Sequence, residues 1–140
     1  MTVLDVGAGS GAWSLAVLER DPSARALAMD WPHVLEVTQQ FAERFGFADR
    51  YAYLPGNLRE GDFGEASCDL AILGHICHSE GAEHSQSLFR RLHRALRPGG
   101  KLQIADRIPD EGRSTATVRH TVRRFARSPS ETGGTKAGVP

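Results

Sequence analysis

The stretch that most constrains this chain is its start, Val3-Leu4-Asp5-Val6-Gly7-Ala8-Gly9-Ser10-Gly11. Val3, Leu4 and Val6 suit a strand, three glycines follow at alternate positions, and Ala12 to Glu19 then reads as a helix. Glycines permit backbone angles that a Cβ would forbid, and they let a ligand lie almost against the main chain. The helix start presents unpaired N–H groups to that ligand.

Gly7, Gly9 and Ala12 also satisfy the permissive dinucleotide pattern G-x-G-x-x-G/A, so the glycines alone leave the ligand open. Asp5 narrows the choice. It stands two residues before Gly7, near the carboxyl end of the strand, where a dinucleotide would bring its anionic pyrophosphate. A carboxylate near a phosphate is unfavourable, whereas one near a sulfonium or ammonium group is favourable. S-adenosylmethionine (SAM) carries both cations and no phosphate, so the charge favours SAM over NAD. Asp30 ends a second apolar run 19 positions after Gly11. A carboxylate at the tip of a second strand, about 20 residues on, is placed to accept hydrogen bonds from ribose hydroxyls. NAD and SAM share that ribose.

The 140 residues suffice for one domain with a core. No apolar run approaches the roughly 18 residues of a membrane span, and Met1 lies one residue before the first strand, so a cytoplasmic protein without a signal peptide is expected. Cys68 and Cys77 lack metal-ligand spacing and are expected to be free thiols, with no metal bound. Net charge is zero, but residues 112–140 carry +5 and residues 1–111 carry −5. A mildly acidic body does not suggest nucleic-acid binding.

Along the chain, a second strand ends at Asp30, Trp31-Pro32 opens a helix that Gly46 closes, and Tyr51 to Leu54 forms a third strand closed by Pro55-Gly56. Asp69 to Leu73 is a continuous apolar run of the kind buried on both faces. A helix is expected over Glu83 to Leu96, stopped by Pro98-Gly99-Gly100, and Lys101 to Asp106 makes a fifth strand. Strands alternating with helices predict an α/β fold, a doubly wound, mostly parallel Rossmann-like sheet of order 3-2-1-4-5. Its ligand site lies beyond the carboxyl ends of the strands, at the switch between strands 1 and 4. Residues 1–111 are expected to form this core. Residues 112–140 read as a basic tail, largely disordered, that leaves the sheet incomplete at the strand 5 edge.

These residues resemble a known family. Val3 to Gly11, Asp30-Trp31-Pro32-His33-Val34, Pro55-Gly56-Asn57, Ile76-Cys77-His78 and Leu96-Arg97-Pro98-Gly99-Gly100 are together similar to class I SAM-dependent methyltransferases. More narrowly they resemble the small-molecule O-methyltransferases of plant phenylpropanoid and bacterial secondary metabolism, over roughly Thr2 to Arg113. The resemblance implies that Asp30 holds the SAM ribose and that Trp31 packs on the adenine. Asn57 stands where the family usually has a carboxylate for the adenine amino group. The implied cofactor set is Asp5, Gly7, Ala8, Gly9, Gly11, Asp30, Trp31, Gly56, Asn57, Leu58, Gly74 and His75. His78 matches the general base, and Asp106 the carboxylate that orients it.

The implied partner is a small hydroxylated acceptor, aromatic in many members. His33, His84, His93 and His120 are expected to be packing or solvated residues. Where the family often has an acidic residue and then Trp after the histidine, this chain has Ser79-Glu80. Family members also carry an N-terminal helical domain that dimerises, and an antiparallel strand pair after strand 5. Neither is recognisable here, so a truncated or frame-disrupted core is expected, open to association through the strand 5 edge. Two alternatives remain: a non-catalytic SAM- or nucleotide-binding remnant acting through a partner, and an NAD-binding Rossmann domain, which Asp5 disfavours.

Overall fold

The computed structural model describes residues 1–110 and 113–124, with side chains through Asp106. Strands β1 (Thr2–Val6), β2 (Arg25–Asp30), β3 (Tyr51–Pro55), β4 (Cys68–Gly74), β5 (Leu96–Asp110) and β6 (Arg113–Arg124) form one sheet of order β3-β2-β1-β4-β5-β6. The first five pair in parallel. The expected order 3-2-1-4-5 is therefore present, and the carboxyl ends of five strands share one end of the sheet.

Three helices cover the two faces, α1 (Ala12–Arg20), α2 (Pro32–Arg44) and α3 (Cys77–Ala95). The two-residue period of β1 sorts its side chains. Val3 packs with Leu18 of α1 and with Ala26 and Ile72, while Leu4 and Val6 pack with Leu88, Leu92 and Ala95 of α3. Ala8 and Ala28 meet Leu35 of α2. Both faces of β1 and β4 are thus covered, as their unbroken apolar runs require.

Three expectations need correction. First, α3 begins at Cys77, not Glu83, because the Ile76 carbonyl accepts the backbone N–H groups of Ser79 and Glu80 and closes an early turn. Gly81, at φ 74 and ψ 174, separates that turn from the rest of the helix. Second, Pro98-Gly99-Gly100 does not delay the fifth strand. β5 already starts at Leu96, and the segment is absorbed as an irregularity between the pairs Cys68–Leu96 and Leu70–Lys101, with Gly99 at φ +80.

Third, residues 113–124 are not an irregular tail, and the strand 5 edge is not bare. β6 pairs antiparallel with β5 from Lys101–Arg124 to Asp110–Arg113. Thr115, Thr117, Val118, Thr121 and Val122 supply the β-branched content that suits a strand, and pairing satisfies backbone groups that an edge would leave open. The expectation of disorder over 125–140 falls outside the described residues.

Candidate active site

The glycine turn folds back from β1 over the end of β2. Gly7 and Ala8 both donate their N–H to the Met29 carbonyl, and Gly11 donates to Ala8. Gly7, Gly9 and Gly11 sit at φ 70, 56 and 76, which L side chains rarely adopt. Their surroundings differ. A Cβ on Gly7 would collide with the Ile76 side chain, and one on Gly11 would lie 3.1 Å from Thr38 and 3.3 Å from the Tyr51 hydroxyl. A Cβ on Gly9 would meet nothing within 4 Å. The open side of the turn is therefore at Gly9, where a ligand can approach the main chain. Ala8 is buried with its N–H and carbonyl both engaged, so it offers a ligand little.

Asp5 does not face that opening. It is completely buried on the α1 side of the sheet, where its Oδ2 accepts the Ser14 hydroxyl. The Tyr51 hydroxyl lies 2.8 Å from Ser14 Oγ and can donate to it. Burial pushes the Asp5 carboxyl up to about 6 and the Tyr51 phenol up to about 12. Asp5 Oδ1 is buried with no partner among the described residues. The expected direct contact between Asp5 and a ligand cation is thus corrected. The residue braces α1 behind the turn, and its charge reaches the site only through the protein.

Asp30 does reach the turn. Its Oδ2 accepts the Gly9 N–H at 3.0 Å and its Oδ1 accepts the Trp31 N–H at 2.7 Å. Each oxygen keeps another lone pair for a hydroxyl donor. Trp31, the residue before α2, is 47% exposed and leaves ring surface accessible beside Asp30. Gly56 donates its N–H to the Asp30 carbonyl, which joins β3 to the same place. Asn57 Oδ1 accepts the Arg59 N–H at 3.0 Å. Leu58 packs against the core on the α3 side, and its carbonyl accepts from Arg91 at 2.7 Å.

At the ends of β4 and β5, Gly74 lies under the Trp13 indole so closely that a Cβ would not fit. His75 is exposed at φ 58 and donates its N–H to Ala105. Its ring centroid is 6.3 Å from that of Trp13 and 6.4 Å from that of His78. A histidine in the left-handed region is strained, and such strain gathers at functional positions.

His78 and Asp106 meet as expected. The imidazole Nδ1 lies 2.7 Å from Asp106 Oδ1, and the His78 backbone N–H donates to Asp106 Oδ2 at 3.1 Å. The carboxylate is nearly buried, whereas the His78 side chain is 47% exposed. A carboxylate accepts, so the neutral ring carries its proton on Nδ1 and leaves Nε2 as a base.

Other contacts at the site have no signal in the sequence. Thr38 of α2 donates its hydroxyl to the Gly9 carbonyl at 2.7 Å, fixing the turn from beneath. Arg59 and Glu80 form an ion pair at 2.7 Å. Arg91 donates to the carbonyls of both Gly61 and Leu58, and its guanidinium lies over the Phe63 ring. Among the described residues, no group of three or more His, Cys, Asp or Glu could hold a metal ion, and no helix is long and apolar enough to cross a membrane.

A mostly parallel sheet, a left-handed glycine turn and an acidic residue at the end of β2 define a Rossmann-like nucleotide-binding domain. A family model described as an O-methyltransferase domain matches residues 1–130. The chain belongs to that family. A phenazine O-methyltransferase of Lysobacter antibioticus is 33% identical over 113 residues, covering 79% of this chain and 32% of the relative. The structure of a candidate O-methyltransferase from Nostoc punctiforme superposes with a TM-score of 0.77 at 34% identity, covering 81% of this chain and 34% of that one. An O-methyltransferase family 2 protein from Planctomyces limnophilus, solved in complex with apigenin, gives 0.72 at 29% identity and coverages of 78% and 32%. The chain spans about a third of the length of the curated relatives it matches.

Proposed function

We propose that this chain is the donor-binding core of an O-methyltransferase, which moves a methyl group from SAM to a hydroxyl of a small aromatic acceptor. The observation that carries this reading is the His78–Asp106 pair at the end of the sheet that also holds the glycine turn. An oriented, half-exposed imidazole is what a hydroxyl acceptor needs there.

The residues present fit an adenosyl ligand. Asp30 keeps lone pairs for the ribose hydroxyls, Trp31 offers a bare ring face for the adenine, and the open side at Gly9 admits the ligand close to the main chain. Asn57 can accept from an amino group or donate to a ring nitrogen. When bound, SAM would supply an electrophilic methyl on sulfonium, transferred in line as the S–CH3 bond breaks and S-adenosylhomocysteine leaves. His78 then takes the acceptor's hydroxyl proton on Nε2 as the new C–O bond forms, and Asp106 stabilises the resulting imidazolium. General-base assistance of this kind contributes roughly 10²–10⁴-fold, and alignment of the reactants contributes as much or more. The relatives named for phenazine and bound to apigenin support a planar aromatic acceptor.

Calorimetric titration of the 140-residue chain with SAM, S-adenosylhomocysteine and NAD tests the reading. Binding of both adenosyl-sulfur ligands and not NAD is expected. Binding of NAD alone would overturn it and return the glycine turn to dinucleotide chemistry.

A further inference from the structure

Helix α3 is interrupted where the site needs it to be rigid. Gly81, at φ 74 and ψ 174, cuts the turn Cys77–Glu80 away from the helix body, so helical hydrogen bonding alone does not fix that turn. His78 lies within it. On one side the turn is held by Asp106, which takes both the backbone and the ring of His78. On the other side, the carboxylate of Glu80 meets the guanidinium of Arg59 at 2.7 Å.

Arg59 belongs to the loop that follows β3, directly after Asn57 and Leu58. That loop is anchored independently to the body of α3, because Arg91 binds the carbonyls of Leu58 and Gly61 at 2.7 and 2.6 Å. Asn57 Oδ1 accepts the Arg59 N–H and sets the start of the loop. The loop is therefore attached to α3 on both sides of the Gly81 break and acts as a splint across it. Glu80 is the sheltered partner, with its side chain 12% exposed against 47% for Arg59, so the pair is better screened from water than an open surface pair.

We infer that Arg59 and Glu80 are positioning residues for His78, tying the turn that carries the imidazole to the loop that carries Asn57 and Leu58. This rests on the donor-binding reading above, which puts the adenine against that loop. The consequence is a link between the two halves of the site: a ligand that orders the Asn57-Leu58 loop also steadies His78. An acceptor proton then meets its base most often when the donor is in place.

The test uses the full 140-residue chain and three variants, Arg59→Gln, Glu80→Gln and the exchange Arg59→Glu with Glu80→Arg. Without ligand, each single variant is expected to speed amide exchange at residues 77–80 about two- to fivefold, the range for pairs of this kind. Each is also expected to weaken the His78 Nδ1–H proton resonance, and the exchanged pair to restore both readings. A merely structural pair would not move the imidazole signal. Unchanged exchange and an unchanged His78 resonance in both single variants would overturn the positioning role.

With saturating S-adenosylhomocysteine, exchange at 77–80 should slow in the parent chain and not in Arg59→Gln. Binding without that protection in the parent chain overturns the link while leaving the donor site intact. Failure of S-adenosylhomocysteine to bind at all overturns the donor-binding reading and the link with it, and the ligand-free comparison then decides the role of the ion pair by itself.

Discussion

His78 meets Asp106 twice, ring Nδ1 to Oδ1 at 2.7 Å and backbone N–H to Oδ2 at 3.1 Å, so one carboxylate fixes both the position of the turn and the tautomer of the ring. Removing the base and removing its orienter should therefore differ in kind. Under the proposed function, His78→Ala is expected to lower methyl transfer to a hydroxylated aromatic acceptor by roughly 10²–10⁴-fold while S-adenosylhomocysteine affinity stays near its parent value. Asp106→Asn retains the shape, but its amide can donate to Nδ1 and favour the tautomer whose Nε2 carries the proton. It should also lose kcat, with the loss tracking the imidazole's protonation in a pH profile. Full activity in His78→Ala would remove the general-base role.

Asp5 gives a stability prediction with a definite sign. Burial pushes its carboxyl up to about 6 from an ordinary value of 3.8, so the folded chain holds this proton more tightly than the unfolded chain does. The stabilisation is fully present below about pH 4 and is lost as pH rises through about 6. A shift of about two units is on the order of 3 kcal/mol. Asp5→Asn removes the titration, so the gap in unfolding free energy between variant and parent should shift in the variant's favour as pH rises from 4.5 to 7.5. Urea unfolding at several pH values checks this. Parallel curves would mean that Asp5 does not titrate in that window.

The same residue shows what is legible in the sequence and what is not. The β1 strand, the left-handed turn and Asp30 can be read because each depends on local spacing. Charge alone puts Asp5 on the ligand side, although the two-residue period places it with Val3 against α1. β6 is hard to read because its apolar content is sparse and its place in the sheet depends on pairing with β5. Arg59–Glu80 and Thr38–Gly9 are separated by 21 and 29 positions and leave no pattern along the chain. His78 and Asp106 stand out through resemblance to a family, whereas their pairing through Nδ1 joins positions 28 apart and depends on how β5 and α3 pack.

The glycines of the turn should separate folding from binding. Gly9→Ala places a methyl group in open space, so its cost to folding is confined to the left-handed backbone, roughly 1–2 kcal/mol. Under the proposed function the methyl nevertheless occupies the face that the ligand approaches, and S-adenosylhomocysteine affinity should fall steeply. Gly7→Ala adds a collision with Ile76 to the same backbone strain and should destabilise the chain more. Urea unfolding alongside calorimetry distinguishes them. Equal stability losses in the two variants would show that Ile76 yields and that the turn is looser than its contacts imply.

Thr38 tests whether the turn must be held from below to bind at all. Its hydroxyl donates to the Gly9 carbonyl at 2.7 Å while Asp30 accepts from the Gly9 N–H at 3.0 Å, so both polar groups of the turn's most open glycine are fixed by side chains from the β2–α2 unit. Thr38→Val keeps the buried shape and leaves that carbonyl without its donor, at a cost of about 1–3 kcal/mol. Freed of this bond, the Gly9–Ser10 peptide can rotate about the Gly9 ψ, which loosens the turn next to the Ala8–Gly9 peptide whose N–H Asp30 holds, and ribose recognition should weaken with it. Thr38→Ser restores the hydroxyl with a smaller side chain and should recover most of the S-adenosylhomocysteine affinity, although it loses a buried methyl group. If Thr38→Val destabilises the chain but binds the ligand as tightly as the parent does, Asp30 alone orients the turn and Thr38 serves only folding.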